Sequence, residues 1–151
     1  LLIRKAGIAD IKVVHTIVNE FARKGQMIPR ALNDLYENIR DIFICEDKGE
    51  IKGACALHIL WEDLAEIRSL AVRGDSQSVG IGRRLVKTCV REAEKLGIQR
   101  VFALTYQPAF FKKMGFKDID KSKLPQKIWG ECLKCHKFPE CDETAVTLNL
   151  K

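Results

Sequence analysis

Apolar residues recur every three or four positions between Asp10 and Phe21, at Ile11, Val14, Ile17, Val18 and Phe21, and this spacing predicts an amphipathic helix. Asp10 stands where an N-terminal cap is wanted, and Gly25 lies just past the end. A shorter stripe of Leu32, Leu35, Tyr36 and Ile39 predicts a second helix, bounded by Pro29. The pattern then changes to short apolar runs. Ile42 to Glu46 and Ile51 to Leu60, separated by Asp47-Lys48-Gly49-Glu50, predict an antiparallel hairpin with Gly53 inside its second arm. Ala65 to Val72 predicts the next strand, ended by the polar turn Arg73-Gly74-Asp75.

The strongest helical stripe runs from Gly80 to Leu96. Ile81, Leu85, Val86, Cys89, Ala93 and Leu96 line one side, most of the charged residues fall elsewhere, and Gly97 ends it. Val101 to Thr105 predicts a buried strand, Pro108 opens a short helix through Lys113, and Phe116 starts an extended segment. Ala145 to Leu150 alternates apolar with polar residues as a last strand. Early helices, an antiparallel meander and a strand-helix-strand unit add up to an α/β (α+β) fold. Its mixed, mostly antiparallel sheet should hold one parallel pair across the long helix. The 151 residues carry no repeat or low-complexity linker, and one domain over 1–151 accounts for them.

Composition narrows the function. No apolar run approaches the roughly 18 residues of a membrane span, and the first residues do not read as a signal peptide; a cytoplasmic protein without a membrane partner is expected. The net charge of +6 favours an anionic partner. The basic residues are spread along the chain without a zinc-finger, basic-zipper or RNA-binding signature, so small anions are preferred over nucleic acid. Cys45, Cys55 and Cys89 fall inside apolar segments, as buried thiols of a reducing compartment would.

Gly80 and Gly82 leave the backbone bare at a helix start, where first-turn amides lack intrahelical partners and the helix dipole attracts a diphosphate. Arg73, Arg83 and Arg84 flank them as candidate phosphate partners. A dinucleotide fingerprint would require a third glycine where Leu85 stands, and a triphosphate loop would require Lys-Ser/Thr where Arg83-Arg84 stand. The competing structural reading is that both glycines merely let the helix approach the sheet.

Gln77-x-x-Gly80-x-Gly82, preceded by a strand ending Leu70-Ala71-Val72, resembles the acetyl-CoA pyrophosphate loop of the GNAT superfamily of N-acetyltransferases. Phe111-Lys112-Lys113-Met114-Gly115-Phe116 is similar to its late helix-to-strand motif. Four segments sharpen the resemblance: Glu66 to Val72, Gly115-Phe116, Leu124-Pro125-x-Lys127-x-Trp129, and Cys132-x-x-Cys135-x-x-Phe138-Pro139-x-Cys141-Asp142. They resemble the short amino-acid N-acetyltransferases, of N-acetylglutamate synthase type, that serve arginine biosynthesis. The resemblance implies acetyl-CoA as cosubstrate, L-glutamate as acceptor and no metal. It implies that backbone groups of Leu70, Ala71 and Val72 meet the acetyl and pantetheine portions. Gln77 belongs to the loop motif, amides from Val79 through Ile81, Gly82, Arg83 and Arg84 hold the pyrophosphate, and Phe111 and Lys112 lie near the pantetheine and adenylate.

Acetyl transfer requires a neutral amine, a polarised thioester and protonation of the leaving thiolate. Glu66 is the general-base candidate, directly or through water. Arg68, two residues on and on the same strand face, is suited either to a substrate carboxylate or to an ion pair with Glu66. Lys127, Arg23 and Arg30 are further carboxylate candidates. A strand amide at Leu70 or Ala71 suits the oxyanion. Many superfamily members have tyrosine where this chain has Phe111, so the acid is open: Tyr106, water or the substrate's own ammonium. Cys132, Cys135 and Cys141, with His136 and Asp142, leave zinc binding, redox pairing and simple loop packing open. Other readings are a different small amine or peptide N-terminus as acceptor, and a non-catalytic acyl-CoA sensor. A homodimer is compatible with the class.

Overall fold

The computed structural model describes residues 1–124 and 143–150, without the side chains of Gln77 and Ser78. Lys127 and the Cys132, Cys135, His136, Cys141 and Asp142 group lie outside the described residues. The elements in chain order are β1 (Leu2–Lys5), α1 (Ile11–Arg23), α2 (Leu32–Glu37), β2 (Ile42–Asp47), β3 (Glu50–Trp61), β4 (Leu64–Val72), α3 (Ile81–Lys95), β5 (Arg100–Thr105), α4 (Pro108–Lys112), β6 (Lys117–Asp118) and β7 (Thr144–Asn149). The described strands form one sheet in the order β1-β2-β3-β4-β5-β7-β6, antiparallel except for β4 beside β5. The expected mixed sheet, its hairpin and its single parallel pair are all present.

Alternation along β3 and β4 divides the apolar side chains between two layers. Cys55, Leu57, Ala65, Ile67 and Val72 face α3, whose Ile81, Leu85, Val86, Cys89 and Ala93 fill that side. Ala54, Ala56 and Ala71 face Val14, Ile17, Val18 and Leu35 of α1 and α2. The side chains are small because two helices must lie close to one sheet. Gly53 marks the limit: a Cβ there would stand 2.9 Å from the Ala71 carbonyl oxygen, 3.2 Å from Leu85 and 3.3 Å from Ile81. The close approach of helix to sheet therefore rests on this strand glycine.

The strand β1 is absent from the sequence expectations, since Leu2-Ile3-Arg4-Lys5 is too short and mixed to show a period. An ion-pair group secures it. Arg4 Nη1 and Nη2 donate to Asp10 Oδ2 and Oδ1 at 2.7 and 3.3 Å, and Arg4 Nε donates to Glu46 at 3.2 Å. Asp10 is accordingly not a forward cap for α1. It closes a 3-10 turn, Ile8–Asp10, and its carboxylate reaches back to accept from the Gly7 amide at 2.7 Å.

Arg4 first, and then the Gly7 amide, hold the Asp10 carboxyl below its ordinary pKa. A carboxylate with a lower folded than unfolded pKa adds stability above the unfolded value, about 3.9, and loses it as pH falls through the folded value. Asp10→Asn is expected to cost about 1–2 kcal/mol at pH 7 and progressively less below pH 4, read from urea unfolding across pH. In the same assay Gly53→Ala is expected to cost about 1–3 kcal/mol, because the obstructing atom is backbone and cannot rotate away.

Candidate active site

β4 carries one residue more than β3 across the middle of their ladder. Ala56 pairs with Arg68 and Ala54 with Ala71, so Cys55 alone opposes Ser69 and Leu70. Ser69 sits at φ 55°, the left-handed region, and forms the bulge. A serine there costs about 1–3 kcal/mol, which the flanking ladder must offset. On the other side, β4 pairs with β5 only at Leu64↔Arg100, Ala65↔Val101 and Glu66↔Phe102. Beyond that point the strands diverge, and a cleft of about 430 Å³ opens between Ile67–Val72 and Ala103–Gln107.

The cleft reaches both faces of the sheet. On the α3 face it is walled by Val72, Gly80, Gly82, Arg83, Phe110 and Phe111. Gly80 is in the left-handed region at φ 80° and starts α3, so the first-turn amides of that helix point into the opening. Neither glycine makes room for protein. A Cβ on Gly80 would meet nothing within 4 Å, and one on Gly82 would meet Phe110 and Val72 at ordinary contact distances of 3.5 Å or more. The reading of this pair as helix-packing glycines therefore fails; Gly53 has that task. The bare backbone at Gly82 instead fits a ligand's approach to the helix end, and the exposed Arg83 stands beside it.

On the α1 face the cleft is walled by Glu66, Arg68, Arg30, Met27, Phe21 and Tyr106. Arg68 forms the ion pair with Glu66: its Nε donates to Glu66 Oε1 at 2.7 Å, and both side chains are nearly buried while lining the cleft. Glu66 thus fixes the direction of the Arg68 guanidinium. Arg30 joins it through a local device. Asn19 of α1 accepts from the Arg30 amide and donates to the Arg30 carbonyl, both at 3.1 Å, which pins the loop before α2. Arg30 Nη1 lies 3.5 Å from Asp34, and Arg30 and Arg68 together also line a small recess continuing from the cleft.

Other sequence candidates are placed differently. Leu70, Ala71 and Val72 line the cleft. The Ile81 side chain is buried in the core and Val79 is exposed, which leaves their backbone for the pyrophosphate role. The Arg84 amide already donates to Gly80 at 3.2 Å, which leaves its guanidinium for that role. Phe111 is buried edge-to-face against Phe110 and Phe116, with centroids 5.2 Å apart in each pair, and its ring is partly cleft wall and partly core. Lys112 is paired with Asp118 at 2.8 Å outside the lining, and Arg23 is exposed outside it too. The sequence reading missed Ser69, Phe110, Thr105 and Glu143. Serine in a strand carries no breaker signal, and Glu143 stands just before the alternation of β7 begins.

A helix start with two glycines, a cleft between splayed strands and a polar second face suit an acyl-CoA-dependent transferase. The chain belongs to the acetyltransferase (GNAT) family, whose family model matches residues 13–116. It is an acetyl-CoA-dependent N-acetyltransferase. It is 40% identical over 148 residues to an uncharacterised N-acetyltransferase of Chlorobaculum tepidum, covering 98% of this chain and 96% of that one. It is 31% identical to the amino-acid acetyltransferase of Mycobacterium tuberculosis, with 89% and 79% covered.

Among solved structures, a Mycobacterium tuberculosis protein in complex with CoA and NLQ superposes with TM-score 0.87 at 27% identity, over the whole of both chains. N-acetylglutamate synthase of Neisseria gonorrhoeae, complexed with coenzyme A and N-acetyl-glutamate, superposes with TM-score 0.90 at 26% identity; the match spans 99% of this chain and 35% of that one.

Gly82→Ala separates ligand approach from packing. It is expected to leave urea stability within about 1 kcal/mol, alanine being the better helix former, while raising the KM for acetyl-CoA at least tenfold in steady-state kinetics.

Proposed function

We propose that the protein transfers the acetyl group of acetyl-CoA to the α-amine of L-glutamate, as the first acetylation of arginine biosynthesis in the cytoplasm. One observation carries this reading: Arg68, held by Glu66, and Arg30, 3.5 Å from Asp34, both line the cleft on the side away from the α3 glycines. Two guanidiniums on the acceptor side suit an acceptor with two carboxylates. The amino-acid acetyltransferase relatives and the structure with N-acetyl-glutamate support the same acceptor. Cys45, Cys55 and Cys89 are buried free thiols, which fits a reducing compartment.

In this reading Glu66, oriented through Arg68, accepts a proton from the glutamate ammonium directly or through water. The neutral nitrogen bonds to the acetyl carbon as the carbonyl π pair moves onto oxygen, and the bond from carbon to sulfur breaks when that oxyanion collapses. The Leu70 or Ala71 amide donates to the oxyanion between those events. Tyr106, which lines the cleft beyond the end of β5, gives its hydroxyl proton to the departing thiolate and regains one, directly or through water, as the attacking nitrogen sheds its second proton to become the amide. Phe111, in the position where a tyrosine was sought, has no proton to give. Gln77, Val79, Gly80, Ile81, Gly82, Arg83 and Arg84 hold the pyrophosphate, with Phe111 and Lys112 toward the pantetheine and adenylate. Lys127 is kept as a further candidate carboxylate ligand from the sequence, whereas Arg23, outside the cleft, is not.

Acetylation of a panel of amino acids, polyamines and peptides tests the acceptor: L-glutamate is expected to give the highest kcat/KM, and a panel without turnover of acidic amino acids contradicts it. Tyr106→Phe is expected to lower kcat at least tenfold with little change in either KM. An unchanged kcat would return the protonation to water or to the substrate.

A further inference from the structure

The turnover proposed above leaves a proton on Glu66, and the next turnover requires that it be gone. Glu66 is poorly placed to lose it to water unaided: its side chain is 13% exposed, and one oxygen is taken by Arg68. The ladder sets His58 directly across from it. His58 pairs with Glu66 between Leu57↔Ile67 and Ile59↔Ala65, so the two side chains stand on one face of the sheet, roughly 5 Å apart at their Cβ atoms. Leu57 and Ile67 pack in the α3-facing core, which puts His58 and Glu66 on the α1 face, the face of Ala56 and its partner Arg68.

The pairing of β2 with β3 begins at Ile42↔Ala56, and the 3-10 turn just before it, Ile39–Asp41, carries the partner of His58. His58 Nδ1 lies 2.7 Å from Asp41 Oδ2. A carboxylate has only lone pairs to offer, so Nδ1 carries the hydrogen and Nε2 keeps a lone pair. Among the described residues Nε2 has no hydrogen-bond partner. The His58 and Asp41 side chains are 24% and 25% exposed, more open to solvent than Glu66. The charged groups around them are Glu66 and Arg68 from β4, and Arg30 and Asp34 around the start of α2. Asp41, Asp34, Arg30 and Arg68 share the recess beside the cleft, whose 30 Å³ has room for a water. We infer that His58 relays the proton of Glu66 to solvent, with Asp41 stabilising the imidazolium formed on the way. The O–H bond of protonated Glu66 breaks, directly or through one water, as Nε2 forms its N–H bond. Nε2 then gives that proton to bulk water or a buffer base, and both groups return to their starting states. Imidazole is a stronger base than carboxylate, so the first transfer runs downhill, and imidazole exchanges protons readily near neutrality. His58 is thus a positioning residue that acts through Glu66, and this rests on the reading of Glu66 as the base.

The test is the pH dependence of kcat, at saturating acetyl-CoA and L-glutamate or the amino acid that surpasses it in the panel. Wild-type kcat is expected to fall on the acid side as His58 becomes protonated and can no longer accept. His58→Gln should lower kcat at least tenfold at pH 7 in dilute buffer and move the acid limb to lower pH, with both KM values and the melting temperature nearly kept. Added imidazole should restore kcat in His58→Ala, where the missing ring leaves room for it. A bond that merely pins the turn before β2 would instead lower the melting temperature and leave the acid limb in place. That result overturns the relay, as does a wild-type kcat in His58→Gln. Should the His58 variants fail to fold, Asp41→Asn decides. It keeps an acceptor for the Nδ1 hydrogen but removes the charge behind the imidazolium, so the limb is expected at lower pH, and an unmoved limb overturns the relay. A wild-type kcat in Glu66→Gln overturns the base reading and the relay with it. Loss of kcat in Glu66→Gln beside an unaffected His58→Gln overturns the relay alone.

Discussion

β4 parts from β5 after Glu66, and the extra residue at Ser69 bends β4 within the opened stretch on which the transferase site depends. Upstream of it the two strands are joined at three successive pairs ending at Glu66↔Phe102; downstream they wall a cleft of about 430 Å³. The bulge also changes which residues face which layer. Arg68 before it and Ala71 after it face the α1 side, three positions apart instead of two or four, so the Leu70 to Val72 backbone is presented to the slot. The strain at Ser69 is held by long ladders on the β3 side and by helices packed on both faces.

The two faces of the cleft have different chemistry because different elements supply them. The α3 side offers backbone amides, two glycines and an arginine, all suited to a phosphate whatever is attached to it. The α1 side offers oriented side chains: Arg68 set by Glu66 and Arg30 set through Asn19. In the proposed reading, cofactor recognition is carried largely by backbone and acceptor recognition by side chains. A GNAT chain can exchange its acceptor without disturbing its grip on acetyl-CoA.

Much of this was legible in the sequence. The stripes of α1 and α3 and the Asp47 to Glu50 turn, with Lys48 and Gly49 both at positive φ, have local causes, and the structure repeats them. Gly80 and Gly82 were singled out by the sequence, and both line the cleft. What was not legible depends on distant partners. Strand β1 forms because Arg4 meets Asp10 and Glu46, not from any period of its own. Asp10 reads as a forward cap but is drawn back to Arg4. Gly53 carries the helix contact that Gly80 and Gly82 were also offered for, and only the packed sheet distinguishes them. Ser69 and His58 matter through register, which no local pattern encodes.

Hydrogen exchange with and without CoA tests the splayed-strand account most directly. CoA is expected to slow exchange at the amides of residues 70–72 and 81–83 together, and to leave the 47–50 turn unchanged. Protection confined to the start of α3, with none at residues 70–72, would contradict the assignment of the opened β4 edge as the thioester slot.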